Sequence, residues 1–183
     1  MRIDRIVTRG GDGGETSLGD GTRLRKDARR IEAIGAVDEA NAAIGLLRLH
    51  ADPGVDAMLS RIQNDLFDLG ADLAVPGEAG NRLRLTDAPS ARLEAELGEM
   101  NARLSPLTSF VLPGGSVAAS HAHLARTVAR RAERRVVRLA AEEHVNPAVL
   151  RFLNRLSDHL FVLGRHLNED GGRDVAWVPG ANR

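Results

Sequence analysis

Apolar residues recur at intervals of three and four along most of the chain, and the breaks between these runs hold glycine, proline and short capping side chains. That spacing matches the 3.6-residue turn of an α-helix, so each run predicts an amphipathic helix. The first runs from a cap at Asp27 to about Leu49, with Ile31, Ile34, Val37 and Ile44 on its apolar side. Asp52-Pro53, a cap followed by proline at the first helical position, opens the second, whose stripe is Val55, Met58, Leu59, Ile62, Leu66, Leu69 and Leu73. Residues 76–86, PGEAGNRLRLT, interrupt the pattern, and Asp87 begins a third helix with Leu93, Leu97, Met100 and Leu104 inside. The apolar stretch Phe110-Val111-Leu112 ends at Pro113-Gly114-Gly115, after which Ser116 caps a fourth helix reaching about Glu143. Asn146-Pro147 opens the fifth, which carries Leu150, Leu153, Leu156, Leu160, Leu163 and Leu167 until Gly171-Gly172 stops it.

Five such segments with short connections and almost no β-branched alternation predict an all-α protein, a five-helix bundle. Six glycines between Gly10 and Gly21 are too many for a stable helix or a central strand, so residues 1–26 are expected to form a loop. The bundle then occupies 27–169 and a short tail 170–183, which contains the only tryptophan, Trp177. A length of 183 residues fits one domain spanning 1–183.

Composition narrows the function classes. With 43% hydrophobic and 27% charged residues the chain has globular composition, and no apolar run approaches the ~18 residues of a membrane span. The opening residues lack the apolar stretch of a signal peptide. The absence of cysteine excludes disulfides, thiolate zinc sites and cysteine nucleophiles, and a reducing cytoplasm is the expected compartment. A net charge of zero argues against a protein that coats nucleic acid. The charge has one peculiarity: of 25 basic residues, only Lys26 is lysine. A GC-rich genome would produce that bias by itself, whereas a site that needs a compact ammonium would retain one lysine for its shape.

Two segments can hold an anion. In T-R-G-G-D-G-G-E-T-S at 8–17, glycines allow backbone N–H groups to converge while hydroxyls and Arg9 add donors, which suits phosphate; the plainer reading is a flexible terminus. The loop is not a Walker A motif, because no Gly-Lys-Ser/Thr follows at the required spacing. The fourth helix carries six arginines between 126 and 138, and at ~100° per residue Arg126, Arg130, Glu133 and Arg134 share one quadrant beside the apolar positions Ala125, Val128, Ala129, Ala132, Val136 and Leu139. The alternative is a solvated face with Glu133 paired to Arg130. No metal site is expected: His121 and His123 point apart, and His159 and His166 stand two turns apart. No Ser-His-Asp set is recognisable, and Asp38 and Glu39 are adjacent and diverge.

Taken in order, the segments at 8–26, E-A-I-G-A-V-D-E-A-N at 32–41, F-V-L-P-G-G at 110–115, R-T-V-A-R-R-A-E-R-R at 126–135 and L-N-R-L-S-D at 153–158 resemble the ATP:cob(I)alamin adenosyltransferases of the propanediol-utilisation type. The resemblance implies a homotrimer of five-helix subunits in which ATP and a corrin meet between neighbours. It implies that Thr8, Arg9, Gly10, Gly11, Thr16, Ser17 and Lys26 enclose ATP together with Arg130, Arg131, Ala132, Glu133, Arg134 and Asn154. It gives Arg126, Arg130, Asp38 and Phe110 the catalytic positions: Asp38 pairs with Arg126 across subunits, and Phe110 displaces the lower axial ligand of Co(II) so that Co(I) can form. Cobalamin and Mg²⁺ join ATP in the implied reaction, with a cobalamin reductase upstream and an adenosylcobalamin-dependent mutase downstream as possible partners. Against the family pattern the chain has Gly10 and Gly13 where side chains are common, and Ala125 or Ala129 where cysteine is common. Read without the resemblance, Phe110 is a core phenylalanine and the protein is a helical module that binds ATP or another polyanion without catalysis.

Overall fold

The computed structural model describes residues 6–77, 80 and 82–183. Residues 1–5 of the expected loop, and Glu78, Ala79 and Asn81 of the expected break, lie outside them. Five helices follow a small hairpin: β1 (Glu15–Ser17), β2 (Arg23–Arg25), α1 (Arg29–Arg48), α2 (Pro53–Leu73), α3 (Ala88–Asn101), α4 (Val117–Ala140) and α5 (Pro147–His166). The helices pack in the order α2, α1, α4, α5, α3, with each lying against the next.

The caps account for the helix starts. Asp52 accepts from the N–H groups of Gly54 and Val55, both at 2.9 Å, Ser116 Oγ from Ala119 at 3.0 Å, and Asn146 from Ala148 at 3.0 Å; each satisfies a donor that the first helical turn leaves free. One start differs from the expectation. Asp27 does not cap α1: Ala28 takes that position without a side-chain bond, because the Asp27 carboxylate forms a bidentate pair with Arg25 at 2.9 and 2.7 Å. Asp87 stands at the start of α3 as expected, and its carboxylate accepts from Arg151 at 2.8 Å, which joins the start of α3 to α5. The fourth helix ends at Ala140, short of Glu143, whose carboxylate turns back to the buried Arg30 at 2.8 Å.

The first 26 residues are not loop throughout. Glu15, Thr16 and Ser17 pair antiparallel with Arg25, Leu24 and Arg23. The glycines fall outside these short strands, and Gly14 and Gly21 have φ of 82° and 88°, where a side chain would be strained. The hairpin tip docks on the end of α2 through Gly19 N–H to the Ala74 carbonyl at 2.9 Å, and a Cβ on Gly19 would come within 3.0 Å of Val75.

The core draws on all five helices; of the predicted stripe residues, Ile34, Leu97, Leu104, Leu150 and Leu167 are only partly buried against it, and Ile31 is half-buried outside it. On α4 the buried face is mostly alanine, from Ala118 through Ala122, Ala125 and Ala129 to Ala132, with Val136 and Leu139 completing it. Small side chains let α1 and α5 approach α4 closely, and the larger apolar volume comes from Ile44, Leu47, Phe152, Leu153 and Leu156 on the facing helices. This close seam puts the α4 arginines at its edge.

Candidate active site

The arginines of α4 divide by partner. Arg131 pairs with Glu39 of α1, and Arg135 pairs with Glu32 at 3.2 Å, so these two tie α4 to α1. Arg126, Arg130 and Arg134, spaced four apart on one face, have no carboxylate partner among the described residues. Three unneutralised guanidinium groups in a row attract polyanions. Glu133 does not pair with Arg130. It accepts from Asn154 of α5 at 3.1 Å, which places Asn154 beside the stripe. Ala132 is fully buried in the helix seam and offers no side chain to this surface.

Arg126 is half-buried. Its guanidinium lies 6.0 Å from the centre of the Phe161 ring, and its Nε is buried without a partner. Burial, and then the charge of Arg130, lower its pKa below the usual guanidinium value, so an added carboxylate would relieve both effects. Next to it an open groove of about 490 Å³ is lined by Phe110, Arg126, Arg130, Ser157, Asp158 and Phe161, among others. The groove thus brings Phe110 to the arginine stripe. Phe110 is 77% exposed, so it is not a core phenylalanine.

Phe110 projects from a non-helical segment that two features hold. Gly115 has φ 103°, and a Cβ there would lie 2.1 Å from Asn168 Oδ1. Asn168 is 1% exposed; it accepts from the Ser116 N–H at 2.9 Å and donates to the Gly114 carbonyl at 3.0 Å, which clamps the Pro113-Gly114-Gly115 turn to the end of α5. The tail runs antiparallel beside the segment at Val111 and Ala176.

The N-terminal loop forms a second locus. Arg9 adopts φ 60°, and the Arg23 guanidinium reaches the Gly10 carbonyl at 2.9 Å and Ser17 Oγ at 3.3 Å. The Lys26 N–H donates to Gly14 at 2.9 Å, and its side chain crosses Gly11, where a Cβ would sit 2.9 Å from Nζ. Gly11 therefore leaves room for the ammonium. At Gly10 and Gly13 a Cβ would meet at most Thr8 Oγ1 at 3.7 Å, so the loop shape does not depend on glycine at these two positions. Among the described residues, no hydrogen bond or ion pair joins Thr8, Arg9, Gly10, Gly11, Thr16 or Ser17 to α4 or α5.

Asp38 lies in neither locus. It is exposed on α1 and lines a mainly apolar groove of about 390 Å³ with Ile34, Phe67 and Ala71, and it has no ion-pair partner among the described residues. Glu39 turns to Arg131 instead. Sequence reasoning missed Arg23, Ser157, Asp158, Phe161 and Asn168. The signal for three of them was present: Ser157, Asp158 and Phe161 follow Asn154 by three, four and seven residues and so continue its helix face.

Fold and site together define a five-helix bundle with an arginine-lined, partly apolar groove, a surface suited to an anionic ligand with an apolar part. Residues 6–167 match the family described as Cobalamin adenosyltransferase. A cobalamin adenosyltransferase of Cupriavidus metallidurans is 52% identical over 180 residues, covering 96% of this chain and 95% of the relative. A corrinoid adenosyltransferase of Mycobacterium tuberculosis is 46% identical over 190 residues, covering 100% and 97%. Among solved structures, a phenylalanine-to-alanine variant of a PduO-type ATP:corrinoid adenosyltransferase from Lactobacillus reuteri, complexed with cobalamin and ATP, superposes with a TM-score of 0.90 at 35% identity, covering 94% of this chain and 99% of that one. The chain belongs to the cobalamin adenosyltransferase family.

Proposed function

We propose that this protein transfers the 5′-deoxyadenosyl group of ATP to the cobalt of cob(I)alamin, and that it does so as a homotrimer in which neighbouring subunits close each site. The observation that carries the reading is the groove in which exposed Phe110 meets Arg126 and Arg130, in a chain of this family. Co(I) supplies the electron pair that forms the Co–C bond, and the C5′–O bond breaks with its pair leaving on triphosphate. The protein then needs neither nucleophile nor general base; placement and charge stabilisation are its contributions. Arg130 and Arg134, with Asn154 and Glu133 beside them, would hold the triphosphate from one side. Thr8, Arg9, Gly10, Gly11, Thr16, Ser17 and Lys26 would hold it from the other. Arg131 and Ala132 act through position, the first by its pair with α1 and the second by spacing the stripe along the seam.

In a shared site the loop of one copy would face the stripe of its neighbour. Asp38, exposed without a cation, and Arg126, half-buried without an anion, line different grooves and are complementary between copies. A contact of unlike surfaces repeats head to tail and forms a ring when its rotation closes, as a trimer would require. Mg²⁺ would accompany the ATP phosphates and offset part of their charge. Co(I) requires a low-potential donor, so a cobalamin reductase supplies the substrate and an adenosylcobalamin-dependent mutase receives the product, in the cytoplasm. No described helix is long and apolar enough to cross a membrane. In this reading residues 1–183 act as one domain.

The test is alkylation of chemically reduced cobalamin by the purified protein and ATP, followed by absorbance, with triphosphate release measured in parallel. Stoichiometric adenosylcobalamin and triphosphate are expected. ATP binding without either product would identify a non-catalytic binding module.

A further inference from the structure

We infer that Trp177 is a positioning residue for Phe110. The inference rests on the proposed role of Phe110 as the side chain that takes the place of the lower axial ligand on Co(II). An exposed phenylalanine on a non-helical segment can do this only if something other than a core fixes its ring. The C-terminal tail does so in this chain. The Trp177 main-chain N–H donates to the Phe110 carbonyl at 2.7 Å, Ser109 Oγ donates to the Trp177 carbonyl at 2.7 Å, and the Leu112 main-chain N–H donates to the Val175 carbonyl at 2.8 Å. The two rings lie 6.1 Å apart with their planes tilted by 54°, a favourable aromatic geometry.

The tail is itself anchored three residues earlier. Asp174 accepts from Arg165 Nε at 2.7 Å and from Asn168 Nδ2 at 3.2 Å; the Arg165 and Asp174 side chains are 8% and 9% exposed. Asn168 also clamps the turn that follows Phe110. One buried asparagine thus fixes both strands of the pair. Phe110 lines the groove shared with Arg126 and Arg130, whereas Trp177 lines a separate one with Leu112 and Val178. The indole therefore supports the Phe110 ring from outside the groove. It takes no part in the electron transfer: the electron that converts Co(II) to Co(I) comes from a one-electron donor such as a reduced flavin, and the ring pair only governs whether the cobalt keeps its lower ligand.

Wild type, Phe110→Ala, Trp177→Ala and Trp177→Phe should be assayed by two routes, one from Co(II) with reduced flavin and one from preformed Co(I). The optical and electron-spin signatures of four-coordinate Co(II) should be recorded with ATP bound. Trp177→Ala should lose tenfold or more on the Co(II) route together with the four-coordinate signature, change less than about threefold on the Co(I) route, and be largely restored by Trp177→Phe. Because Trp177 is the only tryptophan, its emission reports the docked tail directly, and Phe110→Ala should alter it. Unchanged emission in Phe110→Ala, an equal loss on both routes, or a wild-type Co(II) signature in Trp177→Ala would overturn the inference. If Phe110→Ala shows no difference between routes, the role of Phe110 fails first; if it shows one and Trp177→Ala does not, only the support by Trp177 fails. Should Trp177→Ala fold poorly, Ser109→Ala removes one strut of the same pair and must produce a smaller defect confined to the Co(II) route.

Discussion

At the scale of single residues, shape matters as much as charge. Lys26 passes over Gly11 with its ammonium where a Cβ would stand 2.9 Å away, and a planar guanidinium on a longer stem has a different footprint and hydration. Lys26→Arg should therefore lower kcat/KM for ATP by roughly tenfold, about 1.4 kcal/mol of transition-state stabilisation, although charge is kept; wild-type kinetics would show the lone lysine to be compositional. Arg130 has no carboxylate to lose, so Arg130→Ala should leave folding nearly intact while weakening ATP binding and turnover by ~1.5–3 kcal/mol, the range for a charge-assisted hydrogen bond. Titration calorimetry with ATP checks the first part and steady-state rates the second. His123 makes a third case. It is 2% exposed with both ring nitrogens unpartnered, and burial, then Arg126, lower its pKa, with Asp174 opposing. The unfolded chain thus binds this proton more readily than the folded one, so stability is full above the ordinary histidine pKa of about 6.5 and falls as pH drops through it toward the lower folded value. Unfolding midpoints of wild type and His123→Leu between pH 8 and 5 should diverge, the wild type losing more on acidification; parallel curves would remove His123 from the acid response.

At the scale of elements, the helices were legible and the segment that carries Phe110 was only half so. Apolar spacing and the Asp52, Ser116 and Asn146 caps are local signals, and the structure uses each as read. Asp27 reads as a cap, but Arg25 takes its carboxylate, while that of Asp87 goes to Arg151, a partner distant in sequence. The strands at 15–17 and 23–25 escaped notice because glycine content spoke for the whole segment, while the pairing uses only the residues between the glycines. The arginine stripe was visible from periodicity; which arginines are free was not, since Glu32 and Glu39 reach α4 from another helix. The same limit hid Asn168, whose three bonds span 52, 54 and 6 positions of sequence. That clamp makes a prediction at this scale. Gly115→Ala places a Cβ within 2.1 Å of Asn168 Oδ1 at φ 103°, so the turn must open or the asparagine must leave its buried partners. Destabilisation of about 2–4 kcal/mol is expected from the combined backbone strain and lost buried bonds. Urea unfolding measures it, and a midpoint within error of wild type would mean that the turn does not depend on this clamp.

At the scale of the whole molecule, the chain carries two unpaired charges of opposite sign in different grooves, Arg126 half-buried and Asp38 exposed. Arg126 has an unpartnered, buried Nε and a pKa lowered by burial and by Arg130, while Asp38 sits unpaired in an apolar groove on α1 beside the exposed Phe67. Each would be stabilised by a charge that its own chain does not provide. If the two meet between copies, Asp38 adds a carboxylate at the edge of the groove that holds Phe110, and the contact acts on the site as well as on assembly. How much it contributes depends on water at the joint, because truncating one member of a dry pair strands the other, whereas a wet pair is worth little. The apolar lining around it, including Ile34 and the exposed Phe67, would hold a neighbouring copy independently of the pair. Asp38→Asn is therefore expected to keep the assembly state of the wild type but to lose about tenfold or more in corrin turnover, with a smaller effect on ATP binding. Light scattering beside a turnover assay separates the two parts: a monomeric wild type would reject the shared site, and a fully active Asp38→Asn trimer would reject the pair while leaving the shared site standing. The reversed pair gives the decisive control. Asp38→Arg and Arg126→Asp should each be nearly inactive alone, and mixing them after dissociation should restore activity only in rings where a wild-type Asp38 faces a wild-type Arg126, which is possible only if the two residues act from different subunits.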